Sequence, residues 1–257
     1  MDRAHHVPPC KASACEGRSG VSFAQRIWRE CLWQFASKTL LVLLAAGARV
    51  RVIFYHDLPK NCGFILASNH VSHFDPPLIT LSFPRRVDWI GMSELFRGRI
   101  LRRLFSDLNV IPIERNGPDR GAFRSAAGRL AQRRVVGIFP EGGIRDGAAS
   151  IVNGAPMKQG VSLLFAVSGA PVVPCVILGS DRLYNFRNWL PWRRANVWIG
   201  YGKPLSPLEN LTGEQRKDYI RELFGSEIAK LKERLCEDFA LTQADLPHPP
   251  RQRMRER

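Results

Sequence analysis

The spacing of apolar and polar positions changes several times along the chain, and each change predicts an element. Between 22 and 47, Phe23, Ile27, Trp28, Cys31, Leu32 and Phe35 recur near helical spacing with Arg26, Arg29 and Glu30 between them, and 40–46 is apolar nearly all round. One bent helix or two short ones are expected there. Short apolar runs at 50–55, 63–67, 87–92, 110–113, 135–139, 172–178 and 197–201 read as strands. Helical patterns occupy 76–81, 100–108, 119–132, 160–168 and 215–236. This alternation predicts a single α/β domain with a mostly parallel central sheet flanked by helices. Sites in such sheets lie beyond the carboxyl ends of strands. The expected divisions are a flexible lead at 1–20, a helical membrane-associating segment at 21–49, the main domain at 50–240 and a basic disordered tail at 241–257.

Composition narrows the class. At 45% hydrophobic residues, the 257-residue chain can bury a sizeable core. Its 38 Lys+Arg against 23 Asp+Glu give a net charge of +15, which draws polyanions: nucleic acid, an anionic bilayer or phosphorylated small molecules. From Arg85 to Arg145 there are thirteen Arg, no Lys and six acids. Arginine's fork suits phosphate oxygens, so the stretch reads either as a phosphate-handling surface or as a solvated basic face. The six cysteines have no zinc-like spacing and read as free thiols in a reducing compartment. No signal peptide is evident, and the apolar run 39–48 is about half the ~20 residues a spanning helix needs. A basic, Trp-bearing helix followed by a short apolar one suits a peripheral seat on the cytoplasmic face of an anionic membrane; two helices packed on the core are the alternative. The stretch Trp189-Leu190-Pro191-Trp192 is a second candidate for interfacial contact.

The chemistry concentrates after three predicted strands. Ser68-Asn69-His70-Val71-Ser72-His73-Phe74-Asp75-Pro76 follows the strand at 63–67. A histidine suits removal of a hydroxyl proton, and a nearby carboxylate can fix its tautomer. Asp75 ahead of Pro76 also fits a plain helix cap, and His73 is a rival base. Asn109-Val110-Ile111-Pro112-Ile113-Glu114-Arg115 is a short strand delivering an arginine to its end. Ile138-Phe139-Pro140-Glu141-Gly142-Gly143-Ile144-Arg145 ends a strand in a glycine pair, where backbone N–H groups and Arg145 could cradle an anion and Glu141 could bind a hydroxyl. Ala170-Pro171-Val172-Val173-Pro174-Cys175 carries no chemistry of its own.

In order and spacing these four segments resemble the motifs of the glycerolipid acyltransferase family, which includes the 1-acylglycerol-3-phosphate and lysophospholipid acyltransferases. The resemblance covers about residues 50–205. It implies His70 as general base and Asp75 as its orienting partner, with Arg115, Glu141, Gly142, Gly143 and Arg145 binding the acceptor. Three positions depart from the family pattern: Asn109 replaces Gly, Pro112 replaces Phe and Gly143 replaces Thr or Ser.

The implied reaction moves a fatty acyl group from acyl-CoA or acyl-ACP to the free hydroxyl of 1-acyl-sn-glycerol-3-phosphate, giving phosphatidic acid in phospholipid biosynthesis. No cofactor or metal is expected beyond that co-substrate. The expected partners are the acyl donor, a lysophospholipid acceptor and an anionic membrane surface, without nucleic acid. The alternatives are the same chemistry on another lysophospholipid, an acylated amino acid or a polyprenyl-linked sugar, or a non-enzymatic basic protein that binds membrane or nucleic acid. No Walker loop, dinucleotide fingerprint or Gly-x-Ser-x-Gly elbow is present.

Overall fold

In the computed structural model the described residues are 22–114, 119–190, 192–208 and 210–255. The expected flexible lead, Cys10, Cys15 and Arg115 therefore lie outside the described residues, as do the side chains of 40–46. Seven strands form one sheet in the order β1-β7-β6-β2-β5-β3-β4. They are β1 (Ala48–Phe54), β2 (Phe64–Ser68), β3 (Val87–Met92), β4 (Ile111–Ile113), β5 (Val135–Ile138), β6 (Val172–Leu178) and β7 (Ala195–Tyr201). All neighbouring pairs are parallel except β6 with β7. The α/β, mostly parallel expectation agrees with this sheet.

Strands β2, β5 and β6 are buried along their whole length, which is why they read as near-continuous apolar runs rather than alternating ones. Successive side chains feed opposite layers. Ile65, Ala67, Val136 and Ile138 pack with α4 (Arg120–Ala131), α5 (Gln159–Ser168) and α6 (Gly213–Asp238). Phe64, Leu66 and Val135 pack on the other face with Leu78 and Ile79 of α2 (Asp75–Ser82). On α6, Ile220, Phe224, Ile228, Leu231 and Leu235 are the buried positions, the three-and-four spacing of one helix face. Asp119 caps α4 by accepting from Ala122 N at 2.9 Å.

The 22–47 pattern forms one helix, α1 (Phe23–Gly47), and β1 begins at Ala48, inside the segment expected to be helical to 49. No helix among the described residues is long and apolar enough to cross a membrane. Helix α3 (Arg99–Asp107) lies near α1: Trp28 Nε1 donates to Asp107 Oδ2 at 3.2 Å and Arg29 reaches Oδ1 at 3.5 Å.

The expectation of a disordered tail is corrected between 243 and 255. There the chain forms a 3₁₀ turn, Gln243–Asp245, and α7 (Pro250–Arg255), and it docks through a buried ion pair. Arg253, 5% exposed, meets the fully buried Asp181 at 2.6 Å. Pro and Arg composition argued for disorder, but one buried partner at residue 181 gives this segment a fixed seat.

Candidate active site

Where β2 ends, Asn69 takes over its ladder. The buried side chain accepts from Ile177 N at 2.8 Å and donates to Ile177 O at 2.9 Å, as a strand backbone would. The main chain is released to turn, and His70 emerges at the carboxyl end of the sheet. Its Nδ1 lies 2.8 Å from Asp75 Oδ2. Asp75 is fully buried, and its Oδ2 also accepts from Val71 N at 2.7 Å and Ser72 N at 2.8 Å. Ser180 Oγ donates to Oδ1. The carboxylate thus faces back toward the loop and not into the first turn of α2, which excludes the plain helix-cap reading. With backbone N–H donors fixing Asp75 as acceptor, Nδ1 carries the ring proton and Nε2 presents a lone pair. His73 is exposed; its N–H donates to Tyr184 Oη at 3.0 Å, and its ring packs edge-on to Tyr184 at 6.1 Å.

The third motif forms the wall behind His70. Phe139 stacks on the imidazole with centroids 4.0 Å apart, and Trp89 stacks on Phe139 at 4.7 Å. A side chain at Gly137 would collide with the Trp89 ring at 2.6 Å, so this glycine lets the ladder of rings lie flat on β5. His70 is therefore held at its edge by a carboxylate and on its face by an aromatic ring.

Glu141 does not project toward an acceptor hydroxyl. It is buried, its Oε2 accepts from His70 N at 2.7 Å, and its Oε1 accepts from Ser150 Oγ at 2.7 Å and Ile151 N at 2.8 Å. Burial pushes its carboxyl above the usual range, against those three donors, which pull it down. Arg145 N donates to His70 O at 2.8 Å, a second stitch between the motifs. The Arg145 side chain is exposed, with Nη1 donating to the adjacent Ile144 carbonyl at 3.1 Å.

Gly142 has φ 63°, in the left-handed region. A Cβ there would lie 2.8 Å from Lys158 Cδ and 3.0 Å from its Nζ. Lys158 is anchored by its own N–H to Pro140 O at 2.9 Å, so it adds a cation beside Gly142. Asn109 adopts φ 61°, the conformation glycine supplies elsewhere and asparagine tolerates. Arg115 lies outside the described residues.

Sequence reasoning did not single out Phe139, Ser150, Lys158 or Ser180 as contributors. Phe139 and Lys158 sit within or near a motif; Ser150 and Ser180 carry no local signal. Of the thirteen arginines, several are internal. Arg129 and Arg134 pair with buried Asp88 at 3.3 and 2.6 Å, Arg86 lies over Trp33 at 4.3 Å, and Arg85 donates to the carbonyls of Pro59 and Cys62 at 3.0 and 3.2 Å. Cys175 is buried in β6, and burial pushes its thiol up to about 12, which suits a small core hydrophobe. Trp189 is packed rather than interfacial: Nε1 donates to Leu183 O at 3.0 Å and the ring sits 5.6 Å from Phe74. Trp192 is 74% exposed. Among the described residues no group of three or more His, Cys, Asp or Glu is placed to hold a metal ion.

This geometry has relatives. The chain is 22% identical to the 1-acyl-sn-glycerol-3-phosphate acyltransferase of Bacillus subtilis (strain 168) over 209 residues, 79% of this chain and 98% of that one. It is 23% identical to the enzyme of the same name from Borreliella burgdorferi over 195 residues, 73% of each. The crystal structure of the 1-acyl-sn-glycerophosphate (LPA) acyltransferase PlsC from Thermotoga maritima shares the fold, with a TM-score of 0.56, 23% identity and 81% of each chain covered. The family model described as Acyltransferase matches residues 49–178, the span that holds both halves of the His70 pocket, and the chain belongs to that acyltransferase family.

Proposed function

We propose that this acyltransferase moves a fatty acyl group from a thioester, on coenzyme A or acyl carrier protein, to the free hydroxyl of 1-acyl-sn-glycerol-3-phosphate, with phosphatidic acid as product. The single observation that carries the reading is the His70 Nδ1 to Asp75 Oδ2 contact of 2.8 Å at the end of β2. It leaves Nε2 as the base, with two exposed cations on the adjoining motif: Arg145, whose N–H donates to His70 O, and Lys158, whose N–H donates to Pro140 O. The curated relatives' names supply the acceptor.

In this mechanism the acceptor phosphate docks on Arg145, Lys158 and Arg115, which brings its hydroxyl to Nε2. Nε2 takes the proton as the oxygen attacks the thioester carbonyl carbon. The tetrahedral oxyanion collapses, the C–S bond breaks, and the thiolate takes the proton back from the imidazolium. Ester and thiol leave, and the histidine returns to its starting form. Asp75 stabilises the imidazolium in between. Glu141 acts as a brace: it holds the backbone of His70 against the 147–154 segment, and it does not bind substrate.

The acceptor reaches the site from a membrane surface in this reading. What supports it is exposed apolar and cationic side chains: Phe23 and Phe35 on α1 are 77% and 71% exposed, and Ile100 on α3 is 83% exposed among Arg99, Arg102 and Arg103. The test is incubation of purified protein with oleoyl-CoA or oleoyl-ACP and lysophosphatidate, with products read by mass spectrometry. Phosphatidic acid from one donor supports the proposal; free fatty acid without a diacyl product, or acylation of another lysophospholipid only, overturns it.

A further inference from the structure

The polar frame around Asp75 continues outward to the last described helix. Three donors converge on Asp75 Oδ2, while Oδ1 receives Ser180 Oγ. A carboxylate held through one oxygen can still rotate about its terminal bond, where the torsional preference is weak. The Ser180 hydroxyl removes that freedom. Ser180 opens the 3₁₀ turn Ser180–Tyr184, and the same turn supports the loop a second time. Tyr184 Oη accepts from His73 N at 3.0 Å, and its ring packs edge-on to Phe74 at 5.8 Å.

That turn is clamped from its other side by the C-terminal segment. Asp181 Oδ2 accepts from Arg253 Nε at 2.6 Å and from His248 N at 3.0 Å. Arg253 Nη2 donates to Leu246 O at 3.0 Å, and Arg182 Nη2 donates to Ala244 O at 2.8 Å and Asp245 Oδ1 at 2.9 Å. A buried ion pair adds little net stability over apolar packing, because desolvation offsets its attraction. It does impose one geometry, since either charge left alone in the interior is costly.

We infer that Ser180 is a positioning residue for the His70–Asp75 pair, and that the C-terminal segment, through Arg253 and Asp181, is the latch that holds Ser180 against Asp75. The inference rests on the catalytic role proposed above for His70 and Asp75. The chain of contacts runs from α7 to the 3₁₀ turn, to the carboxylate, to the imidazole.

The test uses full-length protein and two readouts. Ser180→Ala lowers kcat about tenfold, the scale of lost second-sphere partners, with both substrate KM values within about twofold. Ser180→Thr keeps the hydroxyl and restores most of the rate. Arg253→Lys keeps the charge but not the fork, and lowers kcat severalfold; combined with Ser180→Ala it costs little more than Ser180→Ala alone, because both act through one hydroxyl. In ¹⁵N-histidine-labelled protein, Ser180→Ala and Arg253→Lys both move the His70 Nδ1–H resonance, assigned by its loss in His70→Gln. Unchanged kcat and an unmoved resonance in Ser180→Ala overturn the positioning role. Multiplicative losses in the double variant overturn the latch. If the wild-type protein does not acylate lysophosphatidate, the proposed acceptor fails while the His70 resonance still decides the latch.

Discussion

The pocket around His70 and the helix α1 are built on opposite terms. Around His70, the carboxylates are satisfied inside the protein: Asp75 and Glu141 are buried, and both oxygens of each have donors. Among its described side chains, helix α1 is held by Trp28 and Arg29 to Asp107, Glu30 to Arg86 at 3.5 Å and the Trp33 ring under Arg86 at 4.3 Å, while Phe23, Ile27 and Phe35 face outward. The pocket has its geometry settled before substrate arrives, as a proton transfer requires. The helix keeps apolar surface that the domain itself does not cover. The difference teaches that one region is finished within the chain, while the other leaves Phe23, Ile27 and Phe35 uncovered, as the proposed membrane seat needs.

Five variants can break or sharpen this contrast. The largest effect is expected from His70→Ala, which removes the proposed base: kcat falls at least about 10³-fold, while circular dichroism shows a native fold. Next, Phe23→Ser with Phe35→Ser lowers partitioning onto vesicles of phosphatidylglycerol and phosphatidylcholine by more than about tenfold, from some 1.5–3 kcal/mol per buried aromatic side chain. Thermal unfolding in the absence of lipid stays within a degree or two. Equal vesicle binding by that variant would place α1 against protein rather than lipid. Third, Arg134→Met leaves buried Asp88 with one arginine and destabilises by about 2 kcal/mol in urea. Arg102→Ala, on the exposed face of α3, changes stability by less than about 0.5 kcal/mol.

The smallest effect is a slope. Burial raises the Glu141 carboxyl above its ordinary 4.5, so the folded state holds that proton more tightly than the unfolded chain. This group's contribution to stability is therefore fully present below pH 4.5 and declines as pH rises through the folded value. Glu141→Gln cannot titrate. It loses acceptor capacity and is less stable throughout, and its Tm deficit narrows as pH rises from 4.5 into the neutral range. A deficit that widens instead would mean that the three donors outweigh burial.

Much of the architecture was legible because its causes are local. Buried parallel strands demand unbroken apolar runs, as in β2 and β6, and amphipathic helices show three-and-four spacing, as in α6. His70 and Asp75 could be paired because both fall in one loop. The roles of the other side chains were not legible. Glu141 was given an acceptor hydroxyl, yet its partners, His70 N and Ser150 Oγ, come from segments 71 and nine residues away. Two arginines of the stretch that read either as a phosphate-handling surface or as a solvated basic face, Arg129 and Arg134, turn inward to Asp88, which no spacing rule announces. The composition of the tail pointed to disorder, and a single buried aspartate at 181 reversed it.

The sequence by itself determined the order of strands and helices, the loop that carries the base and its carboxylate, and the resemblance to an acyltransferase, because periodicity and motif chemistry act over a few neighbouring residues. Only the tertiary structure decided which charges work outward and which hold the frame, that Phe139 backs the imidazole, and that Ser180 reaches Asp75 while Arg253 reaches the adjacent Asp181. Those are contacts between residues far apart in the chain, and it is the packing of the sheet and its helices that brings them together.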